Sequence, residues 1–554
     1  MNMTCHPQQT LFPLSSVQRE VWFDQILYPD TPVYNTGGYL RIDGDIDVDI
    51  FRKALIQLVN ETDILRFKPV VKDDVPFQTF PEMGNTDMGY FDLSDEPDPE
   101  QTALKYMMQD HLRPFRIFEE PLFRHNLFKI SEGHYFWAHS WNHLIVDNWA
   151  VSLVTQRISV IYNALLQCEP IPAPRGAHYS EFIKNDEDYM GSENFEVQCS
   201  YWKQKFTTLP EPMFYPKTAN PGIEGSVHNW SIPRSLYEQL EALGKAHSVS
   251  ITHVLLGLLY AYFTRVQDKD ECVIGLPILN RNSHIFKQTI GMFISLIPER
   301  FSFPRDLSFI SLIQSIAKTL KESYRFQRLP ISMINRLAGT FKTGRKQLFD
   351  ISFSFAKMDY STRFGNSGPT EIIEIDNGLE INPVTITVGE YSKETDISVK
   401  MAYNTAYFSF QDMRDIENRL MSLMEDVLRN PEKPVSHLDF IPSDEKQKII
   451  AQWNNTNSPL NDNCVHSIFE QQAVRTPDAV AVVFEDKQIT YCQLNASANQ
   501  LAHRLISLGV KPGTIVAIAL ERSAEMIIAI LAVLKAGGAY LPIDTDYPSE
   551  RLDF

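Results

Sequence analysis

The chain has 554 residues, of which 44% are hydrophobic and 22% charged, which predicts about three or four packed domains. Its formal net charge of −18 argues against nucleic acid and anionic membranes as partners, because both call for a basic surface. Six cysteines lie far apart without a CxxC pair, so we expect neither a metal site nor a disulfide framework. Residues 1–10 do not resemble a signal peptide, and the apolar stretches are too short to span a bilayer. These properties predict a cytoplasmic protein.

Two amphipathic helices are predicted near the N-terminus. The first covers residues 13–25, with Ser15 or Ser16 as its cap. The second carries an apolar stripe over residues 51–59. Arg66 follows beside an apolar strand, where it is either a surface cation or one half of a buried ion pair.

The stretch with the most chemistry is residues 141–149. It follows an aromatic run at 134–137, which predicts a buried strand, and it precedes a helix-length segment at 150–166. His143 and Asp147 therefore lie at a strand-to-helix passage, where a loop can face a cleft. A histidine can accept a proton from an attacking amine at neutral pH, and a carboxylate four residues later can pair locally or fix the loop through a distant arginine. Such a pair alone is more often structural than catalytic. Whether His143 and Asp147 form a catalytic site therefore has to be inferred from other parts of the chain.

Helices and strands continue downstream and predict a mixed α/β (α+β) fold. Residues 234–247 and 254–266 read as helices, the second so apolar that it should be buried on most sides. A strand at 270–278 leads to Arg281. An apolar strand is predicted at 289–300, with a glycine near its start that permits a close backbone approach.

A boundary is predicted at residues 436–463, which are polar and rich in Asn and Pro. After Cys464 strands and helices alternate, which indicates an α/β unit with parallel strands. This alternation stops at Phe554, and so small a sheet leaves its edges and faces uncovered. The C-terminus is therefore expected to be truncated.

Several segments, in the right order, resemble the condensation domains of nonribosomal peptide synthetases. Residues 142–148 are similar to that family's HHxxxDG signature, with Asn142 at the first histidine and Asn148 at the glycine. Glu20 stands where the family usually has arginine. Further segments that resemble the family's motifs are residues 14–23, 62–67, 179–182, 274–281, 290–294, 327–330 and 348–350.

The C-terminal segment after Cys464 resembles a second family of domains that occurs in nonribosomal peptide synthetases. Residues 489–494 and 534–544 are similar to the first two core motifs of amino-acid adenylation domains. That family's phosphate-binding loop, specificity pocket and catalytic lysine would lie beyond Phe554, so we expect the tail not to adenylate. The two resemblances divide the chain into an N-terminal lobe (11–175), a C-terminal lobe (176–440), a linker (441–463) and a partial adenylation domain (464–554).

The resemblance implies two chloramphenicol-acetyltransferase-like lobes in a V, with a partial α/β adenylation subdomain behind them. The active site would lie in a tunnel between the lobes, with His143 at its midpoint. The α-amine of an aminoacyl thioester attacks an acyl thioester there, and His143 acts as the base or orients the amine. The family's site residues fall here on His143 as the catalytic group and on Asn142, Asp147, Asn148, Arg281 and Arg66 as structural ones.

Each departure from the signature has an expected consequence. Asn142 can donate and accept hydrogen bonds but cannot titrate, so we expect activity to survive. Keeping His143 argues against the heterocyclising branch of the family. Asp147 is expected to pair with Arg281 and shape the loop. Asn148 can still offer its backbone N–H to an oxyanion, but its side chain would narrow the space beside the histidine.

The favoured function is a starter condensation domain, since nothing precedes it on the chain. It would join a fatty or β-hydroxy acyl group, held on coenzyme A or a carrier, to the first amino acid of a lipopeptide antibiotic. Its expected partners are donor and acceptor carrier proteins with 4′-phosphopantetheine arms and its own adenylation domain; we expect a monomer without a bound cofactor. The alternatives are an elongation domain that receives a peptide from an upstream synthetase, and a silent domain that only recruits a partner.

Overall fold

The computed structural model describes residues 10–84, 86–357, 362–458, 463–546 and 548. Their contacts divide the chain into two units, one up to Lys446 and one from Gln447. The first part of the first unit contains β1 (Phe12–Pro13), α1 (Ser16–Leu27), β2 (Asn35–Asp43), α2 (Val48–Glu61), β3 (Lys68–Lys72), β4 (Val75–Thr79), β5 (Met88–Asp92), α3 (Pro99–His111), β6 (Phe123–Ser131), β7 (His134–Asn142) and α4 (Asn148–Leu166).

The rest of the first unit contributes eight helices and seven strands within the described residues. They are α5 (Tyr179–Met190), α6 (Glu193–Lys205), β8 (Gly225–Ile232), α7 (Arg234–Ala246), α8 (Ile251–Val266), β9 (Glu271–Ile278), β10 (Ser295–Ser302), α9 (Phe309–Ser323), α10 (Ile331–Ala338), β11 (Ile351–Ala356), β12 (Glu371–Glu374), β13 (Val384–Gly389), β14 (Ile397–Asn404), α11 (Phe410–Arg429) and α12 (Ser443–Gln447). Short 3₁₀ turns connect several of them, including one at Asp63–Arg66.

The cap predicted for the first helix is present, and the second helix is capped as well. The Ser15 side chain accepts the N–H of Gln18, and the Gln18 side chain accepts the N–H of Ser15, which forms a capping box at the start of α1. Asp47 caps α2, whose predicted stripe from Phe51 to Val59 is buried. These helices form because short-range caps and apolar spacing agree with the tertiary packing.

The first large sheet is completed by a strand from much later in the chain. Its strand order is β12-β2-β7-β6-β5, and only the β5–β6 pair is parallel. Strand β12 lies antiparallel to β2, with Ile372 opposite Leu40. The hydrophobic core on this sheet also takes in Phe182, Phe293 and Phe364. Residues from both halves of the unit therefore build this sheet and its core.

The second large sheet has the order β10-β9-β11-β13-β14-β8. Strand β11 runs parallel to both of its neighbours, and the other pairs are antiparallel. Helix α8 packs on this sheet with 12 of its 16 residues buried, as the apolar sequence predicts. A small third sheet pairs β1, β4 and β3.

The strand predicted at residues 289–300 begins only at Ser295. The prediction of a strand from 289 is wrong because the N–H groups of Phe293 and Ile294 donate to the Asp147 carboxylate instead of to a neighbouring strand. The close approach expected at the glycine is present. A Cβ on Gly291 would lie 2.2 Å from the Tyr179 ring.

The second unit shows the predicted alternation of strands and helices. It contains α13 (Val465–Arg475), β15 (Val480–Phe484), β16 (Lys487–Thr490), α14 (Tyr491–Ser507), β17 (Ile515–Ile518), α15 (Ala524–Lys535) and β18 (Ala539–Pro542). Strands β15 and β16 form a hairpin, whereas β17 and β18 are parallel. Among the described residues no single helix is long and apolar enough to cross a membrane; α7 and α8, bent by 103° at their junction, pass that test only as a pair.

Candidate active site

The predicted loop between strand and helix is held at both ends. Strand β7 ends at Asn142 and helix α4 begins at Asn148, so His143 and Asp147 lie at this passage. The N–H of His143 donates to the carbonyl of Tyr34 at 2.9 Å, which ties the loop to the chain just before β2. The histidine side chain is therefore presented from a fixed backbone.

The His143 ring has a defined proton arrangement. Its Nδ1 lies 3.0 Å from the carbonyl oxygen of Val146, which can only accept, so Nδ1 carries the proton. Burial lowers the pKa of His143 below its usual 6.5, although the Val146 carbonyl and the Asp147 charge oppose this. At neutral pH the half-buried ring is thus uncharged, and its Nε2 lone pair can accept a proton or a hydrogen bond.

Asp147 is buried, and both of its carboxylate oxygens are in use. Oδ1 accepts the N–H of Ala150 at 2.7 Å, which caps α4, and Oδ2 accepts the N–H groups of Phe293 and Ile294 at 3.0 and 3.2 Å. The Nη2 of Arg281 donates to the two oxygens at 2.9 and 3.1 Å. A carboxylate so fully bonded is poorly placed to take a proton from a substrate amine.

The predicted ion pair between Asp147 and Arg281 is present in the buried interior. The other amino group of the guanidinium, Nη1, donates to the carbonyls of Phe286 and Thr289 at 2.7 and 2.5 Å. Its carbon lies 4.0 Å from the centre of the Phe293 ring. The pair therefore joins the histidine loop to the chain between β9 and β10.

Asn142 is fully buried and fixes the histidine loop by two hydrogen bonds. Its Oδ1 accepts the N–H of Leu144 at 3.0 Å, and its Nδ2 donates to Gln25 of α1 at 3.1 Å. Asn148, in contrast, is exposed at the start of α4 and borders the same open space as His143. The first asparagine holds the loop and the second faces the cavity.

Arg66 lies apart from these residues. Its guanidinium donates to the carbonyls of Pro81 at 2.6 Å, of Val59 at 3.0 Å and of Asn60. It thereby satisfies carbonyls at the end of α2, and no carboxylate lies within ion-pair distance of it among the described residues. Of the two possibilities that the sequence left open for Arg66, the buried ion pair is not found within that part of the chain. Arg66 does not line either cavity that contains His143.

His143 lies where two cavities meet. The larger, about 570 Å³, is named the apolar cavity; the smaller, about 280 Å³, is named the acidic cavity. Aliphatic and aromatic side chains line the apolar cavity: Leu256, Leu276, Ile278, Leu296, Phe353 and Phe355. The acidic cavity is lined by carboxylates and by the start of β2: Glu374, Asp376, Glu380, Asn35 and Gly37. Both cavities share His143, Asn148, Glu374, Thr385 and Thr387.

The residues contributed by β12 and β13 were not found from the sequence. Glu374 ends the strand that crosses to the first sheet, and Thr385 and Thr387 lie on β13 of the second sheet. No local pattern marks such a crossover, because the pairing of β12 with β2 joins residues more than 300 positions apart. Among the described residues, no group of three or more His, Cys, Asp or Glu side chains could hold a metal ion.

Comparison with known families and proteins agrees with this arrangement. A family model of the condensation domain matches residues 8–450, and one of the AMP-binding enzymes matches residues 469–554. A dimodular nonribosomal peptide synthase of Bacillus subtilis (strain 168) is 28% identical over 98% of this chain and 23% of its own length. Tyrocidine synthase 2 of Brevibacillus parabrevis is 27% identical over 99% of this chain and 15% of its own length. The chain thus spans less than a quarter of these relatives.

Solved structures show the same fold. A variant of the starter condensation domain of rhizomide synthetase, in complex with C8-CoA, superposes with a TM-score of 0.69 at 23% identity, over 78% of this chain and 98% of that one. The first condensation domain of the calcium-dependent antibiotic synthetase gives 0.70 at 21%, over 79% and 100%. A four-domain nonribosomal peptide synthetase covers 100% of this chain with 43% of its own length, at a TM-score of 0.83 and 19% identity.

The mixed α/β architecture is that of the chloramphenicol-acetyltransferase-like condensation domains, as predicted. The family match covers most of the first unit, including the histidine loop and the strands that form both cavities. The chain therefore belongs to the condensation-domain family of nonribosomal peptide synthetases, followed by part of an AMP-binding domain.

Proposed function

We propose that the first unit forms an amide bond between an acyl thioester and the α-amine of an aminoacyl thioester, with His143 as the group that meets the amine. The observation that carries this proposal is the Nε2 of an uncharged histidine, which bonds to none of the described residues, at the junction of two cavities. Two substrates that enter from opposite sides would bring their reactive ends together at this point.

The reaction needs little from the protein beyond alignment and one proton transfer. The amine nitrogen attacks the thioester carbonyl, the carbon–sulfur bond breaks, and the amine proton ends on the leaving sulfur, which departs as a free thiol. The Nε2 of His143 is suited to accept that proton or to orient the amine by a hydrogen bond. Asn142, Asp147 and Arg281 would act by holding the loop, and Asn148 by narrowing the space beside it. We infer that 4′-phosphopantetheine arms of carrier proteins, or coenzyme A, supply the thioesters.

We further propose that the donor is a fatty or β-hydroxy acyl group, as in a starter condensation domain. The apolar cavity supports this, because leucine, isoleucine and phenylalanine side chains line a space of about 570 Å³ next to His143. Each methylene of the donor that is buried there contributes about 0.8 kcal/mol to the binding free energy, which corresponds to about a fourfold change in kcat/KM per carbon. An elongation domain would instead have to accept polar peptide groups in this cavity.

The catalytic assignment is tested by mass spectrometry of an aminoacyl carrier protein incubated with the full chain and an acyl-CoA. We expect the amide product with the native protein and a loss of at least about a hundredfold in rate with His143→Ala. The exposed His284 provides a matched control, since His284→Ala leaves both cavities unchanged. Equal rates for the native protein and His143→Ala, or no product at all, would favour a silent recruiting domain.

The donor class is tested with a chain-length series of acyl-CoA donors from two to fourteen carbons. We expect kcat/KM to rise by about fourfold per methylene until the apolar cavity is full and then to level off or fall. A matched set of peptidyl carriers gives the comparison. Turnover with peptidyl carriers alone would replace the starter assignment by the elongation type and leave amide formation intact.

A further inference from the structure

A third cavity of the first unit shares no lining residue with the two cavities that contain His143. It lies along helix α4, has a volume of about 290 Å³ and is named the α4 cavity. A water molecule occupies about 30 Å³ in the liquid, so the α4 cavity has room for about ten non-hydrogen atoms. The end of α2, the chain before α5 and the chain before β10 complete its wall. The proposed amide formation makes no use of this space.

The uncompensated charge of the α4 cavity is that of one arginine. Arg157 and Glu61 both line the cavity and neutralise each other through two hydrogen bonds of 2.5 and 2.8 Å. His178, a third ionisable group in the wall, has the carboxylate of Asp63 at 3.9 Å. Arg175, the fourth, forms no hydrogen bond or ion pair with any described residue. A guanidinium in this state favours an anion, and its planar donors match the two oxygens of a carboxylate.

Much of the remaining wall of the α4 cavity is apolar. Its larger apolar side chains are those of Leu153, Val160, Pro172, Pro174 and Ile290. The half-buried side-chain amide of Gln288 bonds to no described residue, so its N–H groups are available to a carboxylate oxygen. A ligand with an apolar body and one carboxylate therefore matches this wall better than a bare inorganic anion, which would leave the apolar surface uncovered.

The wall of the α4 cavity is also bonded to the chain that supports the histidine loop. The N–H of Ala177 donates to Oγ1 of Thr289 at 3.0 Å, and the carbonyl of Thr289 accepts from Arg281 at 2.5 Å. Arg281 in turn holds the carboxylate of Asp147. A ligand in the α4 cavity would therefore restrict the segment that carries these bonds without touching His143.

We propose that the α4 cavity binds a small monocarboxylate with an apolar body of about eight carbons, and that the bound ligand orders the chain that holds Asp147. Arg175 pairs with the carboxylate, Gln288 donates to it, and the hydrocarbon covers Val160 and Ile290. The ligand is not a substrate of the proposed reaction, because its site lies outside both cavities that contain His143. This inference goes beyond the proposed amide formation and does not depend on it.

Binding is tested by NMR titration of ¹³C-carboxyl octanoate with the full chain at neutral pH. We expect a Kd of about 1 mM for the native protein and about tenfold weaker binding to Arg175→Gln, because the charged hydrogen bonds are lost. Octanamide, which has the same shape without the charge, should bind the native protein and Arg175→Gln equally. Arg414→Gln is the matched control, since Arg414 is an exposed arginine of α11 that lines none of the three cavities.

Hydrogen exchange gives an independent measure of the ordering. Octanoate at about 10 mM should slow the exchange of the backbone amides of residues 286–291 about tenfold in the native protein and only about twofold in Arg175→Gln. The proposal is overturned if the native protein does not bind octanoate at about 10 mM, if Arg175→Gln binds it as tightly, or if the slowed amides lie around the apolar cavity instead. Failure of the native protein to form an amide would refute the proposed function and leave these two measurements unaffected.

Discussion

The largest single stabilising contact of the histidine loop is predicted to be the Asp147 carboxylate. Asp147→Ala removes the acceptor for Arg281 and for three backbone N–H groups, and leaves a guanidinium buried without its counterion. Breaking a buried ion pair by deleting one partner costs about 3–5 kcal/mol, and losing a helix cap costs about 1 kcal/mol. Because one carboxylate serves both functions, we expect a total loss of about 5 kcal/mol.

This free energy corresponds to a measurable shift in melting temperature. With an unfolding entropy of about 2.1 cal/mol/K per residue, a unit that ends at Lys446 has about 0.9 kcal/mol/K. A loss of about 5 kcal/mol therefore lowers its Tm by about 5 °C. Tryptophan fluorescence reports mainly on this unit, because Trp453 is the only one of the 7 tryptophans beyond Lys446.

Two further variants separate the charge from the shape of the contact. Asp147→Asn keeps an oxygen for the helix cap but removes the negative charge. We therefore expect it to lose about half as much unfolding free energy as Asp147→Ala. Combining Asp147→Ala with Arg281→Met removes both charges and should recover stability relative to Asp147→Ala alone. Asp49→Ala, which breaks the exposed pair with Arg52, is the control and should change Tm by less than 1 °C, or about 0.5 kcal/mol.

The reasoning is refuted if Asp147→Ala lowers Tm by less than about 1 °C, or if Arg281→Met makes Asp147→Ala worse. Either result would mean that Asp147 is not held by a buried charge pair. Amide formation should fall together with stability, since Asp147 closes the loop that presents His143.

Three further predictions concern the loop and its neighbouring strand. Reaction of His143 with diethyl pyrocarbonate, followed by peptide mass spectrometry, should have a midpoint below pH 6.5, because only the uncharged ring reacts and burial lowers its pKa; a midpoint above 6.5 would contradict this. Asn142→Ala should cost about 2 kcal/mol in chemical unfolding, because it breaks two buried hydrogen bonds, and a loss below 0.5 kcal/mol would show that they contribute little. Gly37→Ala should cost about 1–3 kcal/mol, since its Cβ would lie 2.1 Å from the carbonyl of His139, whereas Gly368→Ala meets open space and should be neutral.

The elements that the sequence predicts well are those fixed by neighbouring residues. The cap at Ser15, the buried stripe of α2 and the apolar helix α8 depend on spacings of three or four positions, which are visible in any window of the chain. The strand predicted from residue 289 starts six residues late, because Asp147 draws two of its N–H groups away. For Arg66 the sequence left a surface cation and a buried ion pair open, and its side chain bonds backbone carbonyls instead. The late start of the strand depends on where a distant carboxylate lies in the fold, whereas the partners of Arg66 are backbone carbonyls of nearby residues.

The residues of the acidic cavity cannot be identified from sequence motifs, because strands that are far apart in the chain form its wall. Its carboxylates lie on β12 and the turn after it, and β12 belongs to the first sheet although it follows most of the second sheet in the chain. Glu380 and His143 become neighbours of one cavity only through this crossover. A motif gives the residues next to the histidine in the sequence, but it does not give the residues that line the cavity opposite its side chain.

The contacts of Asn142 support the proposal that only one position of the signature needs a titrating group. Asn142 accepts one hydrogen bond and donates another, both inside the protein, and neither contact requires a change of charge. A neutral imidazole has one donor and one acceptor and could perform the same two tasks. The side chain at 142 is buried away from both cavities, whereas His143 borders both. Asparagine at the first position of the signature thus supports the loop by itself, and we expect the proton chemistry to depend on His143 alone.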